Sequence, residues 1–306
     1  MSALILGHKN PDSDSIISAI ACAHLYKQRG LDVVPAAQGT PAPETAFILE
    51  RFGLEAPEIV TSVAGRDVYL VDYSDKAQAP ADIDECNLKG IVDHHKLGDI
   101  QTAEPLYIRM MPVGYTATIV YLHYQEVGLQ PEKDIAGILC SAILSDTLAF
   151  RSPTCTDQDR TAAESLAELA GIEDIQTYAK EMFKAGSNLL EKEPEEIFHM
   201  DYKKFSAGGT TFGVGQVTSM DADELSELKS RMTSYMHDTF EEHGVDMIFF
   251  MLTDILDEST DLIFAGQGAE KAAAKAFTSS EDDRMYLKGC VSRKKQIIPQ
   301  LTEALS

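Results

Sequence analysis

Short apolar runs that stop abruptly at acids and imidazoles constrain this 306-residue chain more than any other feature. Ala3-Leu4-Ile5-Leu6 runs into Gly7-His8-Lys9-Asn10-Pro11-Asp12-Ser13-Asp14-Ser15. Asp67–Val71 runs into Asp72-Tyr73-Ser74-Asp75, and Lys89–Val92 into Asp93-His94-His95. Past the first loop, Ile16, Ile17, Ile20, Ala23 and Leu25 recur with helical spacing, and Asp12 or Ser13 stands where an N-cap is needed. The pattern predicts strand, tight loop, helix. In open α/β sheets ligands bind beyond the carboxyl ends of the strands, so loops distant in sequence can converge on one edge. A helix N-terminus beside such a loop favours an anion. A metal-dependent site acting on a phosphate is the first hypothesis.

The rest of the first half alternates in the same way. Further strands fit Leu31–Val34 and Leu106–Met110. Helices fit Glu44–Phe52, Thr116–Glu126, Asp157–Ala170, Asp174–Lys184 and Glu132–Leu144, the last running into Ser145-Asp146-Thr147. Strands alternating with helices predict an α/β fold, a mostly parallel sheet with helices on both faces. Ser187–Glu196 is charged, contains Pro194 and loses the apolar pattern, so it reads as a linker. The expected division is 1–187, a linker at 188–196, and a smaller α/β domain at 197–306. That domain opens with a hairpin, Tyr202–Ser206 and Thr210–Val217 around Gly208-Gly209. A long amphipathic helix at Asp221–His243 follows, then strands at Asp246–Leu252 and Leu262–Ala265, a helix near Glu270–Phe277, a strand near Met285–Lys288 and a terminal helix after Ser292.

Charge narrows the partners. With 26 basic and 49 acidic residues the net charge is −23, unsuited to coating nucleic acid or an anionic membrane. An anionic substrate would need a local basic cluster and bound cations. The longest apolar runs, Gly137–Leu144 and Met247–Leu252, are too short to span a bilayer. Met1-Ser2-Ala3 carries no signal-peptide pattern, and a cytoplasmic location is expected. The five cysteines are scattered and form no C-x-x-C pair, which supports neither a disulfide framework nor a zinc ribbon.

Taken alone, each acidic loop could be a helix cap, and Asp-His-His a strand-end turn with a satisfied histidine pair. Together they form a carboxylate and imidazole set too rich for one ion. It suits two divalent cations a few ångströms apart, sharing a carboxylate and a water. The donor mix favours Mn²⁺ or another transition ion over an all-oxygen Mg²⁺ cage, and no thiolate is placed to select zinc.

Asp93-His94-His95, the GHKNPDSDS loop and Ser145-Asp146-Thr147 resemble the DHH phosphoesterase superfamily. Ser292-Arg293-Lys294-Lys295-Gln296, Met200-Asp201-Tyr202-Lys203 and the stretch from Ser145 to Thr154 resemble the family II, manganese-dependent inorganic pyrophosphatases. The similarity spans essentially the whole chain and implies a DHH domain followed by a DHHA2-like domain. It implies His8, Asp12 and Asp72 around one metal and Asp14, Asp72, His94 and Asp146 around the other, with Asp72 bridging. His95 would bind substrate and protonate the leaving phosphate rather than ligate. Lys203, Ser292, Arg293 and Lys294 would grip the phosphates from the second domain, with Arg293, Lys203 and Lys294 also stabilising the transition state. The implied reaction is hydrolysis of pyrophosphate to two orthophosphates by a hydroxide shared between two Mn²⁺ ions. Co²⁺ is an alternative ion, a further Mg²⁺ accompanies the substrate, and the second domain closes the site. A homodimer through the first domain is implied in the same way. The family commonly has Asp-His-Asn where this chain has Asp72-Tyr73-Ser74, so an altered partner beside the site is expected.

Other polar residues are assigned plainer roles. His24, His123, His237 and His243 fall in helical patterns without carboxylate clusters, and His199 is read as structural. Alternation along the strand leaves Lys204 and Lys295 undecided. Gly208-Gly209 is a turn, and Asp221–Glu227 and Glu281-Asp282-Asp283 are solvated charges. Three rivals remain. A DHH nuclease is disfavoured by the charge and by Ser292-Arg293-Lys294-Lys295 in place of a glycine- and histidine-containing motif. An exopolyphosphatase is closer in chemistry. A non-catalytic binding protein would have kept every expected ligand without using them.

Overall fold

The computed structural model describes residues 2–152, 154–278 and 285–306; Met1 and the acidic run Glu281-Asp282-Asp283 lie outside the described residues. The chain divides into two compact units, Met1–Gly186 and Ser187–Ser306.

The first unit is built on six strands, β1 (Ala3–Leu6), β2 (Val33–Ala37), β3 (Glu58–Ile59), β4 (Asp67–Val71), β5 (Asn87–Asp93) and β6 (Tyr107–Met110). They pair in the order β3-β2-β1-β4-β5-β6, and every pairing is parallel. The helices are α1 (Ser13–Gln28), α2 (Pro43–Arg51), α3 (Thr116–Glu126), α4 (Lys133–Asp146), α5 (Asp157–Ala170) and α6 (Ile175–Gly186). Alternation along the strands separates the two faces. Leu4, Leu6, Val68, Leu70 and Ile91 pack with Val63, Tyr73, Ala79 and Ile83, which come from loops and 3-10 turns. The other face carries α1, whose Tyr26 ring meets Tyr69 of β4 edge-on at 5.2 Å. Almost all of α1 is buried. Its Ser, Ala and Cys residues are small enough for the helix to be enclosed on all sides, so it has no polar stripe.

Three departures from the sequence reading have physical causes. β2 begins two residues later than expected and carries Pro35 inside it, where β3 pairs only with Ala36 and Ala37. β3 is two exposed residues long, too short to produce a periodicity. Within the expected linker, Leu189–Glu191 forms a 3-10 turn and α7 (Pro194–Met200) begins. Pro194 opens that helix, where its missing N–H costs nothing, and Ile197 and Phe198 are buried.

The second unit holds β7 (Tyr202–Ala207), β8 (Thr210–Ser219), β9 (Met247–Asp254), β10 (Ser259–Ala265) and β11 (Tyr286–Lys288), in the order β11-β10-β9-β8-β7. Among the described residues only β8 and β9 run parallel. They are joined through α8 (Ala222–Asp238), which ends earlier than expected and passes into a 3-10 turn, Phe240–His243. Gly208 and Gly209 both have positive φ, 57° and 81°, as a tight hairpin turn requires. The apolar run in β9 is explained by burial on both faces. Ile248, Phe250 and Leu252 pack with α7 and α8, while Phe249 and Met251 pack with α9 (Ala269–Ala276) and α10 (Ile298–Leu305). Among the described residues no helix is long and apolar enough to cross a membrane.

Candidate metal centre

The loop after β1 is fixed by α1. Asp12 is the N-cap, its Oδ1 accepting the Ser15 N–H at 3.0 Å. A Cβ on Gly7 would fall 2.1 Å from Ser15 Oγ, so only glycine lets the strand end approach the helix this closely. His8 Nδ1 donates to the Lys9 carbonyl at 2.7 Å, which turns Nε2 towards the neighbouring carboxylates. That nitrogen lies 3.5 Å from Asp12 Oδ2 and 3.3 Å from Asp72 Oδ2.

Asp72 follows β4 with φ 69°, a left-handed conformation that a non-glycine residue adopts at a cost. Its Oδ1 accepts from the Thr116 hydroxyl at 2.9 Å and lies 3.5 Å from His94 Nε2. His94 Nδ1 is turned to the Val113 carbonyl at 3.2 Å, again freeing Nε2. Two groups result, His8/Asp12/Asp72 and Asp72/His94/His95, with ligand atoms in each within 4.8 Å of one another. Asp72 belongs to both.

Asp146 closes α4 and lines the same cleft, about 410 Å³, with Asp12, Asp72, His94, His95, Gly114, Tyr115 and Thr154. Asp14 is buried beside it. Its two oxygens accept the Thr116 and Ala117 N–H groups at 2.8 and 2.9 Å, at the N-terminus of α3. Neither Asp14 nor Asp146 belongs to the two tight groups.

Electrostatics follow from crowding. Burial, then the neighbouring Asp14, Asp12 and Glu44, push Asp146 up to about 8. Burial and Asp14 likewise raise Asp72 well above the ordinary carboxylate value. Burial pulls the His8 imidazole down, but Asp12 and Asp72 outweigh it and lift it to about 11. Burial also opposes the lowering of Asp12, which hydrogen bonds from His8 and Ser15 nevertheless achieve. Protons therefore supply positive charge that divalent cations would otherwise bring. With oxygen and imidazole donors around a shared carboxylate, the residues fit a pair of Mn²⁺-type ions.

His95 differs from His94. Its Nδ1 meets Asp93 Oδ1 at 2.9 Å, and the same oxygen accepts its N–H at 3.0 Å. That bond raises the imidazole against the opposing effect of burial. The nitrogen near Asp72, at 3.7 Å, is thus already engaged by Asp93. Of the departure Asp72-Tyr73-Ser74, the Tyr73 ring is buried in the apolar cluster under the sheet and, among the described residues, its hydroxyl has no hydrogen-bond partner, whereas Ser74 interacts with Asp93 beside His95.

The residues expected from the second unit are described within that unit. Arg293 begins a π-helical turn, Arg293–Ile297, capped by the Ser292 hydroxyl, which accepts the Lys295 N–H at 3.3 Å. Its guanidinium is buried and donates to Asp201 Oδ1 at 2.7 Å and to the Asp201 and Val214 carbonyls. Lys203 and Lys294 are exposed. Lys204 is bound to the His243 carbonyl. Sequence reasoning missed Thr116, Glu44 and Asp159. Glu44 accepts from the hydroxyls of Ser13 and Ser145, each adjacent to a candidate ligand. A single acid within a helix gives no sequence signal; Thr116 at a helix start was visible only as an N-terminal residue.

Comparison with known proteins agrees with this architecture. A DHH family N-terminal domain model matches residues 2–143, and a DHHA2 domain model matches residues 180–304. Fold and site thus define a DHH-type protein with a DHHA2 domain. The probable manganese-dependent inorganic pyrophosphatase of Clostridium acetobutylicum is 41% identical over 98% of this chain and 97% of its own. That of Bacillus licheniformis is 42% identical over 99% and 98%. The crystal structure of a Methanococcus jannaschii protein assigned to the family II inorganic pyrophosphatases covers 100% of this chain and 99% of its own, at 39% identity and a TM-score of 0.62. The chain belongs to the manganese-dependent, family II inorganic pyrophosphatase family.

Proposed function

We propose that this protein hydrolyses inorganic pyrophosphate to two orthophosphates at a two-metal site in its first unit. The observation that carries the reading is Asp72, shared between two ligand groups in which His8 and His94 present Nε2. His8, Asp12 and Asp72 would hold one ion, and Asp14, Asp72, His94 and Asp146 the other. When bound, the ions make water an effective nucleophile near neutral pH and offset phosphate charge. The chain's own residues orient and exchange protons. Asp93 fixes the His95 ring through Nδ1, so Nε2 is the atom that can donate to a departing phosphate oxygen. Thr116 holds Asp72 against displacement.

The same proposal assigns residues 1–187 to catalysis, 188–196 to a linker and 197–306 to substrate binding and closure. Lys203, Ser292, Arg293 and Lys294 grip the phosphates. The wide π-helical turn at Arg293 supports this, since such turns recur at functional sites. Mn²⁺ is the resident ion, Co²⁺ an alternative, and Mg²⁺ enters with substrate. A cytoplasmic homodimer through the first unit completes the reading. Its support is five unpaired cysteines and the outer strand β6, where Tyr107 and Ile108 are each 48% exposed. Sedimentation of the full chain tests the dimer, and a monomer at about micromolar concentration would remove it.

Phosphate release from pyrophosphate, tripolyphosphate and a dinucleotide, each with Mn²⁺ and with Mg²⁺, tests the activity. Pyrophosphate with Mn²⁺ is expected to be the fastest pair. Preference for tripolyphosphate or the dinucleotide would overturn the assignment.

A further inference from the structure

Asp159 is fully buried at the start of α5 and has no place in the site as described so far. Its carboxylate joins three segments. Oδ2 accepts the Thr156 N–H at 2.8 Å and the Thr156 hydroxyl at 2.7 Å, which completes the cap of α5. The same oxygen accepts the Gly114 N–H at 2.8 Å, and Oδ1 accepts the Thr118 hydroxyl at 2.6 Å. A helix cap needs only the Thr156 arm. The other two arms reach the segment that leads into α3.

That segment, 113–118, handles three candidate ligands. The Val113 carbonyl turns His94, the Thr116 and Ala117 N–H groups hold Asp14, and the Thr116 hydroxyl holds Asp72. Gly114 is where the carboxylate comes closest to this backbone: a Cβ there would fall 2.9 Å from Asp159 Oδ2. Charge-assisted bonds in a buried, fully satisfied network are strong and hold one geometry.

We infer that Asp159 is a positioning residue of the metal centre. It fastens 113–118 to α5, so that the donors of this strap keep Asp14, Asp72 and His94 in one arrangement. Asp159 itself touches neither metal nor substrate. The inference rests on the reading of those three residues as metal ligands.

The test is Mn²⁺ binding to the chelator-stripped full chain by equilibrium dialysis, with circular dichroism to establish folding. Parent protein is compared with Gly114→Ala, Thr118→Val and Asp159→Ala. The first two each weaken one arm, and they decide the matter if Asp159→Ala does not fold. Folded variants are expected to bind Mn²⁺ about 10- to 100-fold more weakly, as when an outer partner of a metal ligand is lost. A purely structural Asp159 would lower the unfolding midpoint and leave the Mn²⁺ affinity of the folded chain within about twofold of the parent, which overturns the inference. A parent that binds no Mn²⁺ overturns the metal reading itself, and the inference with it.

Discussion

In the first unit the candidate ligands are held mainly by backbone: Asp14 by two N–H groups of α3, His8 and His94 by carbonyls, Asp12 by the first turn of α1. In the second unit Arg293 is held both by backbone, the Asp201 and Val214 carbonyls, and by a side chain, the carboxylate of Asp201, itself about half exposed. Backbone donors cannot rotate away, so the acidic cleft keeps its geometry while its charge is in excess. A side-chain pair can exchange one anion for another. The cleft is therefore preorganised for cations, and under the proposed function the Asp201 carboxylate is the partner that a phosphate would replace at Arg293. Under the proposed function, a chain of net charge −23 draws in an anionic substrate through bound cations and a local basic group.

The largest effect expected of a variant that spares the ligands is at His95. His95→Gln should cut turnover by about 10²- to 10⁴-fold with Mn²⁺ content retained. Undiminished kcat would show that Asp93 and His95 are a structural pair. Arg293→Ala is expected to cost about 1.5–3 kcal/mol in kcat/KM, roughly 10- to 100-fold, read from steady-state kinetics. An unaffected variant would erase the second half of the comparison. Asp201→Asn should change kcat/KM less than Arg293→Ala, because it leaves the cation in place.

The charge excess of the cleft also predicts a pH dependence. Asp146 is raised from 3.8 to about 8, and Asp72 and His95 are raised too, so between these limits the folded metal-free chain binds more protons than the unfolded chain. The Asp146 contribution is fully present below 3.8 and is lost as pH rises through about 8; Asp72 and His95 act in the same sense. Asp12 and Asp93 are lowered and act in the opposite sense, but only below their ordinary value of 3.8. In chelator the unfolding midpoint should fall between about pH 5 and pH 8.5, and the gap to the Mn²⁺-loaded protein should widen. A chelated protein more stable at the alkaline end would contradict the crowding of carboxylates. The smallest effect belongs to Tyr73→Phe, which removes a buried hydroxyl without a partner. It should stabilise the chain by up to about 1 kcal/mol in chemical denaturation and leave kcat unchanged; a loss of activity would return Tyr73 to the site.

Much of this was legible in the sequence because strand ends and ligands coincide. Apolar runs located β1, β4 and β5, and the residues following them are those that converge. What eluded the sequence depends on contacts between distant helices. Glu44 and Asp159 are single acids in helical patterns, indistinguishable from solvated charges until Ser13, Ser145, Gly114 and Thr118 are found around them. Tyr73 misled for a related reason. The departure from Asp-His-Asn suggested an altered partner beside the site, but Asp72 turns into the left-handed region and the Tyr73 side chain enters the core. Pro194 was read as a break, although at the first position of a helix it marks a beginning.

The central claim is that one carboxylate, Asp72, serves two ions at once. Equilibrium dialysis of the chelator-stripped chain against Mn²⁺, for parent and Asp72→Asn, tests it directly. The account predicts two ions per parent chain and weakened binding of both in the variant, by more than the about 10- to 100-fold typical of an outer partner. One ion per parent chain, or an Asp72→Asn chain that still binds two with parental affinity, would contradict it.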